Sequence, residues 1–357
     1  MGAATPRAFR RTAGPAAAVL AGLAALTLVA SGSGAQPRLG VERTSSLAFP
    51  SACAAQPGPR SYHWPLEPFD RQHAVRSNFG DPRTIAWAAR LGMDGPFSAG
   101  DFSFHNGIDI EARAGTPVYP VASGIVRRRQ ANAIVVETRY GRKFLYWHIV
   151  PAVRQGAKVV ASVTVLGFVQ REFKHLHFAE VDGDRLHNPL APGHLTPYED
   201  RTAPSVHWLE FRSWDGLRTL APAELSGVIS VAADASDEPP LPIYGIWDER
   251  PIVPALVRWS LETEDGRVLA QRIVADFRRR EPPRRLFWQV YADGTYQNFA
   301  TFDHHYFWGV SGRYLFNLTP DGLDTRRLEN GLYRLRVDVA DVCGNQGSLT
   351  EEVRIQN

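Results

Sequence analysis

Three short segments concentrate the groups able to hold a metal or move a proton: His105-Asn106-Gly107-Ile108-Asp109, Tyr146-Trp147-His148 and His175-Leu176-His177-Phe178. In a strand, residues i and i+2 face the same side, so His175 and His177 project together. His105 and Asp109 are four apart and share a face of an extended segment. Gly107 between them lets the backbone pack closely or bulge. Two imidazoles and one carboxylate suit a catalytic Zn²⁺, which keeps three protein ligands and leaves a fourth position open. Such a metal lowers the pKa of water toward about 7 and polarises a carbonyl. Five candidates for three ligand places leave two imidazoles over, suited to general-base and oxyanion work. Spacing alone does not say which two. Each piece alone is weak, because an HxH pair in a strand is usually two half-exposed histidines. Together and in order, between residues 105 and 177, they form a specific constellation.

The elements that must carry these residues read as strands. From Tyr62 to about Pro197 the chain runs in short β-branched or alternating stretches broken by Gly and Pro. Examples are Thr116–Val121, Gly124–Arg128, Ala133–Thr138, Lys143–Trp147, Val159–Ala161 and Val163–Phe168. No sustained 3.6-residue period appears. Ile85–Leu91 reads as one short helix in an insertion before the Phe104-His105 strand. Arg201-Thr202-Ala203-Pro204 is a polar joint, and beyond it the strand rhythm changes. Val206–Arg212, Gly227–Ala232, Ala255–Glu262, Leu286–Tyr291, Gly331–Val339 and Leu349–Ile355 read as strands of a sandwich. Tyr333, Leu335, Val337 and Val339 alternate with Arg334, Arg336 and Asp338, the pattern of a half-buried antiparallel strand. The expected fold is all-β. A small antiparallel-sheet domain covers 62–200, and an immunoglobulin- or fibronectin-like β-sandwich of unknown role covers 203–357.

The first domain resembles the lysostaphin/LytM-type zinc metallopeptidases, which cut the peptide cross-bridges and stems of bacterial peptidoglycan. His105 to Ile110 is similar to the family's first metal motif. Ala114-Gly115-Thr116-Pro117-Val118, followed by Ala122-Ser123-Gly124-Ile125-Val126, resembles its continuation. Phe144 to His148 looks like its Tyr-x-His strand, and His175 to Phe178 matches its HLHF motif. Phe79-Gly80-Asp81-Pro82-Arg83 resembles its opening segment. The resemblance covers roughly 62–197. It implies that His105, Asp109 and His177 bind Zn²⁺, that His175 is the general base, and that His148 stabilises the oxyanion or shares the base role. One departure stands out. Gln170-Arg171-Glu172-Phe173-Lys174 replaces the family's Gly/Ser/Thr-rich loop before HLHF. That loop borders the family's substrate groove, so peptide specificity does not carry over.

The chain of 357 residues is 44% hydrophobic and 22% charged, an ordinary globular composition that excludes a wholly disordered protein. Residues 1–35 read as a secretory signal peptide. Arg7, Arg10 and Arg11 precede the Pro15 to Ala30 apolar stretch, and Ser33-Gly34-Ala35 offers a cleavage site. A Pro-rich lead follows at 36–61. The formal charge of +3 comes from those leader arginines, so the remaining chain is neutral and gives no reason to expect a nucleic-acid partner. No apolar run reaches the roughly 20 residues of a membrane span, so no transmembrane segment is expected after processing. Export implies an oxidising compartment, extracellular, cell-wall or periplasmic. There Cys53 and Cys343 permit one disulfide, although nothing in the sequence places them together. His304-His305 lacks a further ligand motif and reads as surface. The ten aromatics between Trp288 and Phe316 read as core and a packed insertion, and the Arg278–Arg280 cluster reads as a solvated loop. No oligomeric state is specified. The expected function is an exported zinc metalloendopeptidase acting on peptidoglycan peptides. The alternative is a noncatalytic wall-binding protein or activator of other wall hydrolases.

Overall fold

The computed structural model describes Cys53, Gly58 and residues 60–84, 102–298 and 311–357. The leader at 1–35, nearly all of the 36–61 lead and the short helix expected at Ile85–Leu91 lie outside these residues. So do His304, His305, Phe299, Phe302, Tyr306, Phe307 and Trp308. The described residues fall within one unit, Val41–Asn357. No helix among them is long and apolar enough to cross a membrane.

The fold is all-β, with one short α-helix among the described residues. The N-terminal half holds β1 (Val75–Ser77), β2 (Pro82–Arg83), β3 (Ser103–Phe104), β4 (Ile108–Glu111), β5 (Pro117–Val118), β6 (Gly124–Arg129) and β7 (Ala133–Glu137). It continues with β8 (Lys143–Trp147), β9 (Ile149–Pro151), β10 (Lys158–Val159), β11 (Gly167–Val169), β12 (His175–Asp182) and β13 (Arg185–His187). An antiparallel sheet runs in the order β1-β4-β12-β8-β7-β6-β10, with β13 paired to the end of β12. Its two faces follow from the period of two. Ile108, Ile110, Leu176, Phe178, Phe144, Tyr146, Ile134 and Val136 turn inward and are fully buried. On β4 and β12, the residues between them, Asp109, Glu111, His175 and His177, turn the other way.

The C-terminal half holds β14 (Ser205–Ser213), β15 (Val228–Ser236), β16 (Leu256–Thr263), β17 (Val268–Asp276), the helix α1 (Phe287–Val290), β18 (Leu315–Asn317), β19 (Leu323–Asp324), β20 (Gly331–Ala340) and β21 (Gln346–Ile355). These strands form two four-stranded antiparallel sheets. One is β14-β15-β18 with β19 beside β15, and the other is β17-β16-β20-β21. Their buried residues, among them Ile229, Val231, Ala233, Val257, Leu261, Leu335 and Val337, share an apolar core. The alternation read from Tyr333 to Val339 is the buried row of β20. The strand expected at Leu286–Tyr291 is instead a 3₁₀ turn leading into α1. Phe287, Val290 and Tyr291 are the buried residues, spaced i, i+3 and i+4, which is one helical turn and not an alternation.

The two halves meet at the corner between β1 and β2. The Phe277 ring lies so close to Gly80 that a Cβ there would sit 2.4 Å from it. The Tyr291 hydroxyl donates to the Gly80 carbonyl at 2.7 Å, and the Val253 N–H donates to Asp81 Oδ1 at 3.0 Å. Phe104 packs against Phe277, Phe287 and Tyr291. A disulfide joins Cys53 to Cys343 across 290 residues.

Candidate metal centre

Strand register assembles the centre. In the β4–β12 pair His177 lies opposite Asp109 and His175 opposite Glu111, while Trp147 of β8 flanks His177 on the other side. Directly opposed residues share a face, so Asp109 and His177 meet above the sheet. His105 arrives from the turn between β3 and β4. That approach requires a glycine next door, since a Cβ on Gly107 would lie 2.4 Å from the Phe178 carbonyl oxygen and 3.0 Å from His177 Nε2.

Three donor atoms converge. His105 Nε2 is 2.9 Å from His177 Nδ1 and 3.2 Å from Asp109 Oδ1, and His177 Nδ1 is 3.1 Å from the same oxygen. Tetrahedral zinc with ligands at about 2.0 Å sets its ligand atoms about 3.3 Å apart, so the triangle fits one divalent ion. The surroundings orient each donor. His105 Nδ1 lies 2.9 Å from the Asn78 carbonyl; donating there keeps the proton off Nε2. Arg83 holds the other carboxylate oxygen, Asp109 Oδ2, at 3.2 Å and also donates to Ser77 Oγ. With the proton of His177 on Nε2, three lone pairs face one point, an arrangement that a cation satisfies and an empty apolar site does not. Burial, and after it the Arg83 charge, pushes His105 down to about 3, so this imidazole is neutral at pH 7. Burial would raise Asp109, but His105 and His175 outweigh it and hold the carboxyl well below its usual range. A neutral imidazole and an ionised carboxylate are the states a metal needs.

The two remaining imidazoles border this triangle. His175 Nε2 is 3.5 Å from Asp109 Oδ1, and its Nδ1 lies 2.9 Å from the Phe173 carbonyl. His148 sits at the bend between β8 and β9 in a left-handed conformation, φ 63°. Its ring lies 4.5 Å from that of His175 and 6.3 Å from that of His177. Phe173 stacks on it at 4.0 Å. Burial lowers both imidazoles. The Arg76 charge adds to the effect at His175, and the His175 and His177 rings add to it at His148. All five residues singled out in the sequence are therefore brought to one place.

Residues 103–189 match peptidase family M23. This segment belongs to that family. The M23 segment contains His105, Asp109, His148, His175 and His177. The chain is also similar to solved structures. Against the catalytic domain of lysostaphin from Staphylococcus simulans it is 20% identical, covering 32% of this chain and 86% of that one, with a TM-score of 0.24. Against a zinc-containing peptidase from Vibrio cholerae the identity is 23%, the coverage 36% and 39%, and the TM-score 0.27. Against a SpoIIIAH–SpoIIQ complex the identity is 20%, the coverage 36% and 98%, and the TM-score 0.27. No curated protein matches the chain.

Several residues around the M23 centre escape sequence reasoning. Arg83 is visible only as part of the Phe79–Arg83 segment, with nothing to show that it reaches Asp109. Ser77, Asn78 and Arg76 carry no signal of their own. Asp200, Asp237 and Asp341 form a second group, buried and with their oxygens within 4.8 Å of one another. It contains no imidazole, and burial drives all three carboxyls upward, Asp237 to about 9 and Asp341 to about 6.

Proposed function

We infer that the protein is an exported zinc metalloendopeptidase that hydrolyses peptide bonds in peptidoglycan cross-links or stems. The observation that carries this reading is the convergence of His105 Nε2, Asp109 Oδ1 and His177 Nδ1 within 2.9–3.2 Å, with two more imidazoles alongside, in a segment of family M23. His105, Asp109 and His177 hold the ion. Zinc bound there supplies Lewis acidity, activating water and polarising the scissile carbonyl. His175 Nε2, 3.5 Å from Asp109 Oδ1, is the ring nitrogen on the metal side and takes a proton from the attacking water. His148 approaches from the β8–β9 bend and stabilises the oxyanion or shares the base role. Export is supported by the leader composition of residues 1–35 and by the disulfide, which persists in oxidising compartments.

A second reading keeps the metal without turnover, as a wall-binding protein or hydrolase activator. It is favoured by one observation, the Phe173 ring lying against His148 in a loop unlike the family's. Zinc content and release of soluble fragments from purified peptidoglycan, each with and without chelator, separate the two. One zinc with chelator-sensitive release is expected. One zinc with no release from several wall types favours the second reading. His175→Ala is expected to abolish release with zinc retained, and His177→Ala to lose the metal. Full turnover in the first variant or full zinc in the second refutes the corresponding role.

A further inference from the structure

The C-terminal half reaches the M23 centre through one buried arginine. Arg76, on β1, is 6% exposed. Its NH1 donates to Glu111 Oε2 at 3.1 Å and its NH2 to the Phe173 carbonyl at 3.1 Å. The same NH2 stands against His175 Nδ1. The face of the guanidinium lies over the indole of Trp247, 4.2 Å from the ring centroid. Trp247 ends the Gly245–Trp247 turn of the C-terminal half.

Each contact has a consequence for the site. A guanidinium bonds only in its plane, and here that plane is occupied by Glu111, Phe173 and the edge of His175. Its face has no hydrogen bond to make, and an indole covers it favourably while keeping water from the in-plane bonds. Arg76 NH2 donates to the Phe173 carbonyl and also meets His175 Nδ1, which itself lies 2.9 Å from that carbonyl, so the arginine braces both the edge of the His175 ring and the peptide beside it. The ring of that same Phe173 stacks on His148. One cation therefore holds both imidazoles that border the metal triangle, and a tryptophan from the other half holds the cation.

We propose that Arg76 and Trp247 are positioning residues for His175 and His148, so that the C-terminal half is a working part of the peptidase centre. The proposal rests on the peptidase reading for its kinetic consequence and on geometry alone for its structural one. Losing Trp247 frees the guanidinium, the Phe173 carbonyl drifts, and His175 loses its fixed direction. The metal triangle, supported separately by Asn78, Ser77 and Arg83, keeps its ion.

The test uses the full processed chain with Trp247→Ala and Trp247→Phe. Zinc content, thermal unfolding, and the kcat and KM for fragment release from dye-labelled peptidoglycan are measured for each. Trp247→Ala is expected to keep one zinc and lose about tenfold or more in kcat, with KM changed less than about threefold. Trp247→Phe, which restores an aromatic face, is expected to recover most of the loss. Unchanged kcat, or a loss confined to KM, overturns the proposal, the latter because it marks a substrate contact. A loss with zinc depleted overturns it as well. If the wild-type chain releases nothing, the peptidase reading fails and the geometry is still read directly. Long-range ¹H–¹⁵N NMR of the zinc-loaded protein, with His175 assigned by His175→Ala, reports the ring nitrogens. Trp247→Ala is expected to shift the His175 nitrogens and leave those of His105 in place. Unmoved His175 signals overturn the proposal.

Discussion

Gly107→Ala tests the assembly of the metal centre with a single methyl group. The added Cβ would lie 2.4 Å from the Phe178 carbonyl oxygen and 3.0 Å from His177 Cε1 and Nε2. The first of these is backbone of β12, so no rotamer change relieves it. Restoring an ordinary contact needs the Gly107 backbone and β12 to separate by about 0.8 Å or more, beyond the about 0.5 Å within which a metal constellation tolerates displacement. Because His177 lies on β12 and His105 two residues before Gly107, the His105 Nε2–His177 Nδ1 distance of 2.9 Å widens with that gap. The expected loss in zinc affinity is about 10- to 100-fold, or about 1.4–2.7 kcal/mol. Overpacking costs a further 1–3 kcal/mol or so of folding stability. Competition with a chromophoric chelator measures the first, and thermal unfolding of the metal-free protein the second. Gly331→Ala is the control, because a Cβ there meets nothing within 4 Å. A Gly107→Ala variant that binds zinc as tightly as wild type and melts at the same temperature refutes this account of the site.

Two further outcomes follow from groups outside the centre. Burial, and then Asp200 and Asp341, raise Asp237 to about 9, so the folded chain holds a proton that the unfolded chain releases above about pH 4. This stability is full below pH 4 and is lost as pH rises toward 9. Asp237→Asn removes the dependence and keeps the oxygen that accepts from the Glu238 N–H. It is expected to stabilise the protein by about 2–5 kcal/mol at pH 7.5 and by little at pH 4, and a difference in Tm that is flat across that range contradicts the sign. The Cys53–Cys343 bridge closes a loop across 290 residues. Its removal by paired Cys→Ser substitutions is expected to cost up to about 5 kcal/mol of stability while leaving zinc binding intact; an unchanged Tm or a lost metal contradicts this.

Much of the centre is legible along the chain because strand periodicity is local. The two-residue spacing of His175 and His177 puts both on one face, and Gly107 marks a close approach. The alternation from Tyr333 to Val339 shows a strand with one buried face. These readings need only the pleat of a single strand. Leu286–Tyr291 shows the limit, since a short apolar run fits strand or helix, and burial of Phe287, Val290 and Tyr291 against the opposite half selects the helical turn.

What the sequence by itself determines is the set of five candidates, the all-β character and the cysteine pair able to bridge. Tertiary structure alone decides which donors meet. The register that sets Asp109 opposite His177, and Glu111 opposite His175, brings one imidazole onto the carboxylate and leaves the other beside it. Packing of the two halves puts Phe277 on Gly80, Val253 on Asp81 and Trp247 on Arg76, joining residues between 171 and 197 positions apart. Register and packing are sums of long-range contacts, and no local period encodes them.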